Sequence, residues 1–256
     1  DPNEAALEPP ATQREVPLSA SRTSRTRSPV RRPQPSSKGL PAAADDPSTS
    51  AGPSSSPSGP GKGKFVISDK ALQDLRVVAA SRRLRCLVIS LCDGIGCCAV
   101  AFRDLPVDLS VLTSEIDADC LAVLAHRHPE AHQLGDMTSI TKSQISAHLE
   151  RVKPDFVFVS AGTPCQQLSA LSTDQSGLDG DQSGKFWDFV SVLTLISELL
   201  KQARVAVPLF FLFENVVMKD CWLRPIEAAL GHECVVIDAA SFGWHHRRRI
   251  WVANFS

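Results

Sequence analysis

Leu84-Arg-Cys-Leu-Val-Ile-Ser-Leu91 runs directly into Cys92-Asp-Gly-Ile-Gly96. The first eight residues form a short apolar run of strand length, and the two glycines that follow supply the backbone freedom of a tight turn. A buried strand ending in a glycine-bearing turn opens a βαβ unit, so a short helix is expected from the turn to Arg103. Working outward, the pattern predicts a strand over 108–115, a helix through His126, a shorter strand over 132–134 before Gly135-Asp136, and a helix over 142–152. Asp155-Phe-Val-Phe-Val-Ser160 reads as the next strand and ends at Ala161-Gly-Thr-Pro-Cys165. An apolar helix follows over 185–202. Pro208-Leu-Phe-Phe-Leu-Phe213 is the most hydrophobic strand and belongs mid-sheet, covered on both faces. A helix over 223–230 and strands over 234–238 and 249–254 complete the chain. This alternation predicts an α/β fold, a mostly parallel sheet with helices on both faces, and ligands gathered at the carboxyl ends of the strands.

The 256 residues suffice for one sizeable domain and an appendage. Residues 1–64 are crowded with Pro, Ser, Ala and Gly and hold few large apolar groups, so a disordered tail is expected there, with the structured core over 65–256. Arg22, Arg25, Arg27, Arg31 and Arg32 lie in that tail beside Ser and Thr, a pattern shared by nuclear-import signals, DNA tethers, phosphorylation sites and plain solvated tails. The 27 Lys+Arg balance 28 Asp+Glu, so any basic surface must be local. No run approaches the length of a membrane span, and the N-terminus lacks the apolar core of a signal peptide. Eight irregularly spaced cysteines, among them Cys92, Cys97 and Cys98, read as thiols in a reducing compartment rather than as a disulfide framework or a metal site. A chain that begins with Asp1 reads as a fragment.

Three acidic signals occupy successive strand ends. Asp93 lies in the Asp93-Gly94-Ile95-Gly96 turn, Glu115 is placed for a ribose hydroxyl pair, and Asp136 for an adenine amino group. A carboxylate of this kind alone is more often an ordinary surface cap; the three in succession point to a bound adenosyl group. Pro164-Cys165 sets a thiol in a loop just beyond a buried strand. Phe213-Glu214-Asn215-Val216 puts an acid at the end of the most apolar strand, where burial is expected to raise its pKa. In His245-His-Arg-Arg-Arg249, residues Arg247 and Arg249 are spaced two apart and face the same way on an extended segment.

The ordered series Asp93-Gly-Ile-Gly96, Ser114-Glu-Ile-Asp117, Gly135-Asp136, Gly162-Thr-Pro-Cys-Gln-Gln-Leu-Ser169, Phe213-Glu-Asn-Val216 and Arg247-x-Arg249 resembles the motif ladder of the cytosine-5 DNA methyltransferases. The likeness spans about residues 84–256 and looks nearest to the animal de novo branch. It implies a Rossmann-like methyltransferase fold, S-adenosylmethionine as cofactor, DNA as partner and a nuclear location. It also implies roles: Cys165 as nucleophile on cytosine C6, Glu214 as the acid at N3, and Arg247 with Arg249 holding the base carbonyl and the acid. His245 stands where many relatives carry Gln. The resemblance further assigns Cys92, Asp93, Gly94, Ile95, Gly96, Glu115, Ile116, Asp136, Met137 and Pro164 to the cofactor, and Gln166, Ser169, Asn215 and Val216 to the substrate. The segment 166–181 corresponds to a loop that closes behind a flipped base.

Two departures stand out. Cys92 replaces the Phe that stacks on adenine in relatives, leaving Ile116 or Ile140 to cover that ring. The chain also stops at Ser256, before the family's target-recognition segment and final helix, so weak DNA binding and slow or no methylation are expected. Two alternatives stay open: a tRNA cytosine-5 methyltransferase, and a catalytically silent partner of an active paralogue, against which the retention of Cys165, Glu214 and both arginines counts. Relatives also pair through this domain, which makes a homo- or hetero-oligomer an expectation.

Overall fold

The computed structural model describes residues 65–168, 176–180, 183–202 and 206–255. The tail expected over 1–64 lies outside them, as does Ser169. Strands β1 (Leu84–Leu91), β2 (Val107–Ser114), β3 (His132–Gln133), β4 (Phe156–Gly162), β5 (Leu209–Val216), β6 (Cys234–Asp238) and β7 (Arg248–Ala253) form one sheet in the order β3-β2-β1-β4-β5-β7-β6. Its helices are α1 (Asp69–Ser81), α2 (Cys97–Phe102), α3 (Ala118–Arg127), α4 (Lys142–Val152), α5 (Lys185–Gln202) and α6 (Asp220–Leu230). The α/β architecture expected from the alternating pattern is present.

Alternation along the central strands divides the core in two. Leu87, Ile89 and Leu91 of β1, Val157 and Val159 of β4 and Phe211 and Phe213 of β5 meet Ile145 of α4, Phe189, Leu193 and Ile196 of α5, and Ile226 and Leu230 of α6. Cys86, Val88 and Phe156 face the other way, against Leu75 of α1 and Cys98 and Phe102 of α2. Phe186 and Phe189 pack on Phe213 at ring-centroid distances of 5.2 and 5.4 Å, which makes the end of β5 a rigid base for the residues beyond it.

The strand periodicity did not reveal direction at the end of the sheet. β7 pairs antiparallel with both β5 and β6, while all pairings from β3 through β5 are parallel. β6 and β7 are therefore a hairpin whose second strand slots back against β5. The pattern also left α1 unrecognised. Ser68 caps it by accepting from the Ala71 amide, and Arg82 at its far end clasps Asp155 with two 2.7 Å bonds. Asp155 accepts in addition from the Arg85 amide at 2.8 Å, so one carboxylate ties α1, β1 and the start of β4 together. Burial alone would raise the Asp155 pKa, but the bonds from Arg82 and Arg85 outweigh it and hold the carboxyl well below the usual range. No helix among the described residues is long and apolar enough to cross a membrane.

Candidate active site

The strand order reverses between β1 and β4, and the segments leaving their carboxyl ends bound the crevice where such sheets bind ligands. Beyond β1, Cys92 (φ 50°), Gly94 (φ 60°) and Gly96 (φ 84°) take left-handed backbone conformations that fold the chain into a tight turn. Gly96 is obligatory for a second reason: a Cβ there would lie 2.5 Å from the buried His128 ring. At Gly94 a Cβ would meet nothing within 4 Å, so the turn faces open space. A hydroxyl relay supports it from below, Ser160 donating to Ser90 at 3.0 Å and Ser90 to Asp93 Oδ1 at 2.6 Å. Burial pushes the Asp93 carboxyl up, and the Ser90 hydroxyl opposes that shift. Asp93 Oδ2 and His128 Nε2 are both buried without a hydrogen-bond partner among the described residues.

Glu115 follows β2 and reaches across to the same turn, accepting from the Gly94 amide at 2.8 Å and from the amides of Ile116 and Asp117 at 2.8 and 2.9 Å. Asp136 follows β3; the backbone amide and hydroxyl of Thr138 hold it below the usual carboxylate range. Ile95 and Ile116 are exposed at the crevice, at 42% and 69%, whereas Ile140 packs against the core and Met137 is only 4% exposed within it. The Cys92 thiol is pushed up to about 11, first by burial and then by Glu115. Lys185, which sequence reasoning passed over, pairs with Asp188 at 3.4 Å and interacts electrostatically with both Cys92 and Asp136. The start of α5 thus overlooks the crevice. A lysine in a first helical turn carries no local mark of such a position.

Beyond β4 the second half of the site assembles. Gly162 pairs with Glu214 across β4 and β5, and a Cβ at Gly162 would sit 3.4 Å from Glu214 Oε2. The carboxylate therefore lies over the glycine three residues before Cys165. Arg249 on β7 reaches Glu214 Oε1 through Nε at 2.9 Å. That contact exists because β7 runs antiparallel to β5 and brings Arg249 opposite Val216. Glu214 is 26% exposed rather than enclosed, the strand end being open to the crevice. Arg247 is exposed at the hairpin, with its amide bonded to Asp238 at 2.9 Å.

Asn215 is 1% exposed. Its amide donates to the Thr163 carbonyl at 3.1 Å and hydroxyl at 3.2 Å, and its side-chain oxygen accepts from the Val216 amide at 2.8 Å. In this structure it anchors the Thr163-Pro164-Cys165 segment from behind instead of facing the crevice. Cys165 and Pro164 are half-buried, Gln166 is exposed and Val216 is half-buried. The Leu168 amide bonds back to the Cys165 carbonyl at 3.0 Å, setting the thiol on a turn pinned by the buried Leu168. Where the chain is next described, Gly177 (φ 64°) lies so close beneath Trp222 that a Cβ would penetrate the indole. Among the described residues no group of three or more His, Cys, Asp or Glu side chains gathers as a metal site.

A family model for the C-5 cytosine-specific DNA methylases matches residues 86–219, slightly more than half of the chain. The chain belongs to that family. The matched span carries the β1 turn, Glu115, Asp136, Cys165 and Glu214; Arg247 and Arg249 lie outside it. Over 127 residues the chain is 31% identical to a DNA N-6-adenine-methyltransferase of Escherichia phage P1, an alignment covering 50% of this chain and 16% of that protein. The chain therefore spans about a sixth of that relative's length. Among solved structures, a protein assigned as a DNA modification methyltransferase encoded within an E. coli prophage superposes with a TM-score of 0.47 at 20% identity, over 65% of this chain and 45% of its own. A Thermoplasma acidophilum protein superposes with a TM-score of 0.39 at 13% identity, over 72% and 85%.

Proposed function

We propose that this protein methylates C5 of cytosine in DNA through a covalent bond between Cys165 and C6, with S-adenosylmethionine as methyl donor. The observation that carries the reading is the convergence at one crevice of the Cys165 turn, Glu214 over Gly162, and Arg249 on Glu214. The adenine-N6 chemistry named for the phage relative acts at an exocyclic nitrogen with its own lone pair and has no need of a thiol. C5 of cytosine is a poor nucleophile, and thiolate addition at C6 is what activates it.

The residues beyond β1, β2 and β3 fit the cofactor. The Gly94 turn faces open space, the carboxylates of Glu115 and Asp136 suit ribose hydroxyls and an adenine amino group, and the exposed Ile116 offers an apolar cover where Cys92 supplies little. When bound there, S-adenosylmethionine supplies an electrophilic methyl group. Cys165 adds as thiolate to C6, and Glu214, in its protonated acid form, donates its proton to N3 where negative charge accumulates. Arg249 fixes the Glu214 carboxylate for that task, and Arg247 steadies the base carbonyl. Asn215, through Thr163, holds the thiol at the height of the ring. Transfer of the C5 proton to water then re-forms the C5–C6 double bond, breaks the C6–S bond and releases the Cys165 thiolate. The thiol can reach the ring face only if the base leaves the duplex stack. Acting on chromosomal DNA, the protein would work in the nucleus. The motif likeness to the animal de novo branch supports a role in placing new methyl marks.

Incubation with a 5-fluorocytosine duplex and S-adenosylmethionine tests this. The expected result is a denaturation-resistant protein–DNA adduct that Cys165→Ser abolishes, with any methyl product on ordinary DNA being 5-methylcytosine. An adduct that persists in Cys165→Ser, or methylation at adenine N6 in its place, would overturn the assignment.

A further inference from the structure

Trp244 is 99% exposed and Phe242 84% exposed, the two most exposed large apolar side chains among the described residues. Both sit on the connection between β6 and β7. Water contact over a whole indole forgoes a large burial gain, so an aromatic pair held outward marks a surface that meets something. The connection is built to hold them there. Asp238 Oδ1 accepts from the amides of Ala240 and Arg247 at 3.0 and 2.9 Å, Ala239 donates to the Arg247 carbonyl at 3.2 Å, and Phe242 donates to the Ala239 carbonyl at 3.0 Å.

Direction settles where this tip points. β7 begins beside the end of β5, with Arg249 opposite Val216, so the hairpin projects from the end of the sheet that carries Glu214 and Cys165. Trp244 stands five steps before Arg249, a reach of about 18 Å at most. Charge settles what it meets. From Ala239 to Arg249 the chain holds His245, His246, Arg247, Arg248 and Arg249 and no acidic residue. Arg249 is bound to Glu214 and His246 Nδ1 lies 3.4 Å from Asp238 Oδ2, while His245, Arg247 and Arg248 are exposed. Cations suit phosphates, and an indole among them suits the face of a base.

We infer that the tip of the β6–β7 hairpin is a DNA-contacting wedge, in which the Trp244 indole stacks on a base face opened beside the target while Arg248 and His245 meet flanking phosphates. The inference rests on the DNA reading above and extends it to a contact that the catalytic groups do not make. Extrusion of the target base exposes the faces of its neighbours, and a rigid indole beside the crevice covers one of them.

Binding of the protein to a fluorescein-labelled mixed-sequence duplex, followed by anisotropy and by quenching of tryptophan emission, tests it with Trp244→Ala and Trp244→Phe. Trp244→Ala should bind about 10-fold more weakly and lose most of the quenching, as expected for one stacking contact, while Trp244→Phe recovers most of the affinity. S-adenosylmethionine affinity and Tm should be unchanged in both, since the side chain touches solvent alone. Wild-type affinity in Trp244→Ala overturns the wedge while leaving the DNA reading intact. Absence of duplex binding by the wild-type protein overturns the DNA reading and the wedge with it. Binding to phosphatidylserine vesicles without duplex binding assigns the tip to a lipid surface and likewise overturns the proposal.

Discussion

Asn215→Ala should damage the fold and not merely the site. The side chain is 1% exposed and makes three bonds: two donated to Thr163 and one accepted from the Val216 amide. Truncation leaves the Thr163 carbonyl, behind a residue itself 4% exposed, with no donor among the described residues, and removes the side-chain partner of the Val216 amide. An orphaned buried polar group costs roughly 1–3 kcal/mol. The Thr163 carbonyl should carry most of that, while Val216, half-buried, recovers part of its bond from water. The expected loss is about 3 kcal/mol, or a fall in Tm of about 8 °C for a domain of this size. Urea unfolding monitored by far-UV circular dichroism measures it. Because Thr163 leads into Pro164-Cys165, adduct formation with 5-fluorocytosine DNA should slow even at temperatures where the variant is folded. S-adenosylmethionine affinity should fall much less than the rate of adduct formation, since the β1 turn, Glu115 and Asp136 are untouched and only Pro164 lies on the loosened segment. A loss of stability under about 0.5 kcal/mol would refute the anchoring role, because surface substitutions lie in that range.

Asp155→Asn should cost about 1–2 kcal/mol at pH 7, a figure held down because Arg82 and Arg85 are themselves about two-fifths exposed. The folded-state pKa of Asp155 is lowered, so its contribution is complete above the unfolded carboxylate value near 4 and shrinks as pH falls toward the folded value. Urea midpoints of wild type and variant should therefore approach one another between pH 5 and pH 3; a constant gap would contradict the clasp. Alkylation with iodoacetamide at pH 8, read by peptide mass spectrometry, should label the exposed Cys97 and Cys221 well before Cys92, whose thiol near pKa 11 is about one part in a thousand thiolate at that pH. Equal labelling of Cys92 and Cys97 in the folded protein would show that the β1 turn is open.

The sequence by itself determined the kinds of element and the order of the chemical groups. A strand covered on both faces must be a short apolar run, and a chain that turns tightly beyond it needs residues tolerant of left-handed backbone, so 84–96 and 208–216 announce themselves locally. Cys165, Glu214 and the strand-end carboxylates were legible for the same reason, each standing at the end of a recognisable strand. Tertiary structure decided what depends on partners distant in the chain. The direction of β7 is invisible to side-chain periodicity, which reads the same along a strand in either sense, yet it alone brings Arg249 to Glu214 and puts the β6–β7 connection at the sheet end that carries Glu214. The motif likeness assigned Asn215 to the substrate. Successive strand residues face opposite ways, and the pleat that turns Glu214 toward Gly162 turns Asn215 into Thr163. The capped helix α1 and its Arg82–Asp155 clasp were hidden likewise, since a weakly apolar helix draws its stability from a carboxylate 73 residues further along the chain.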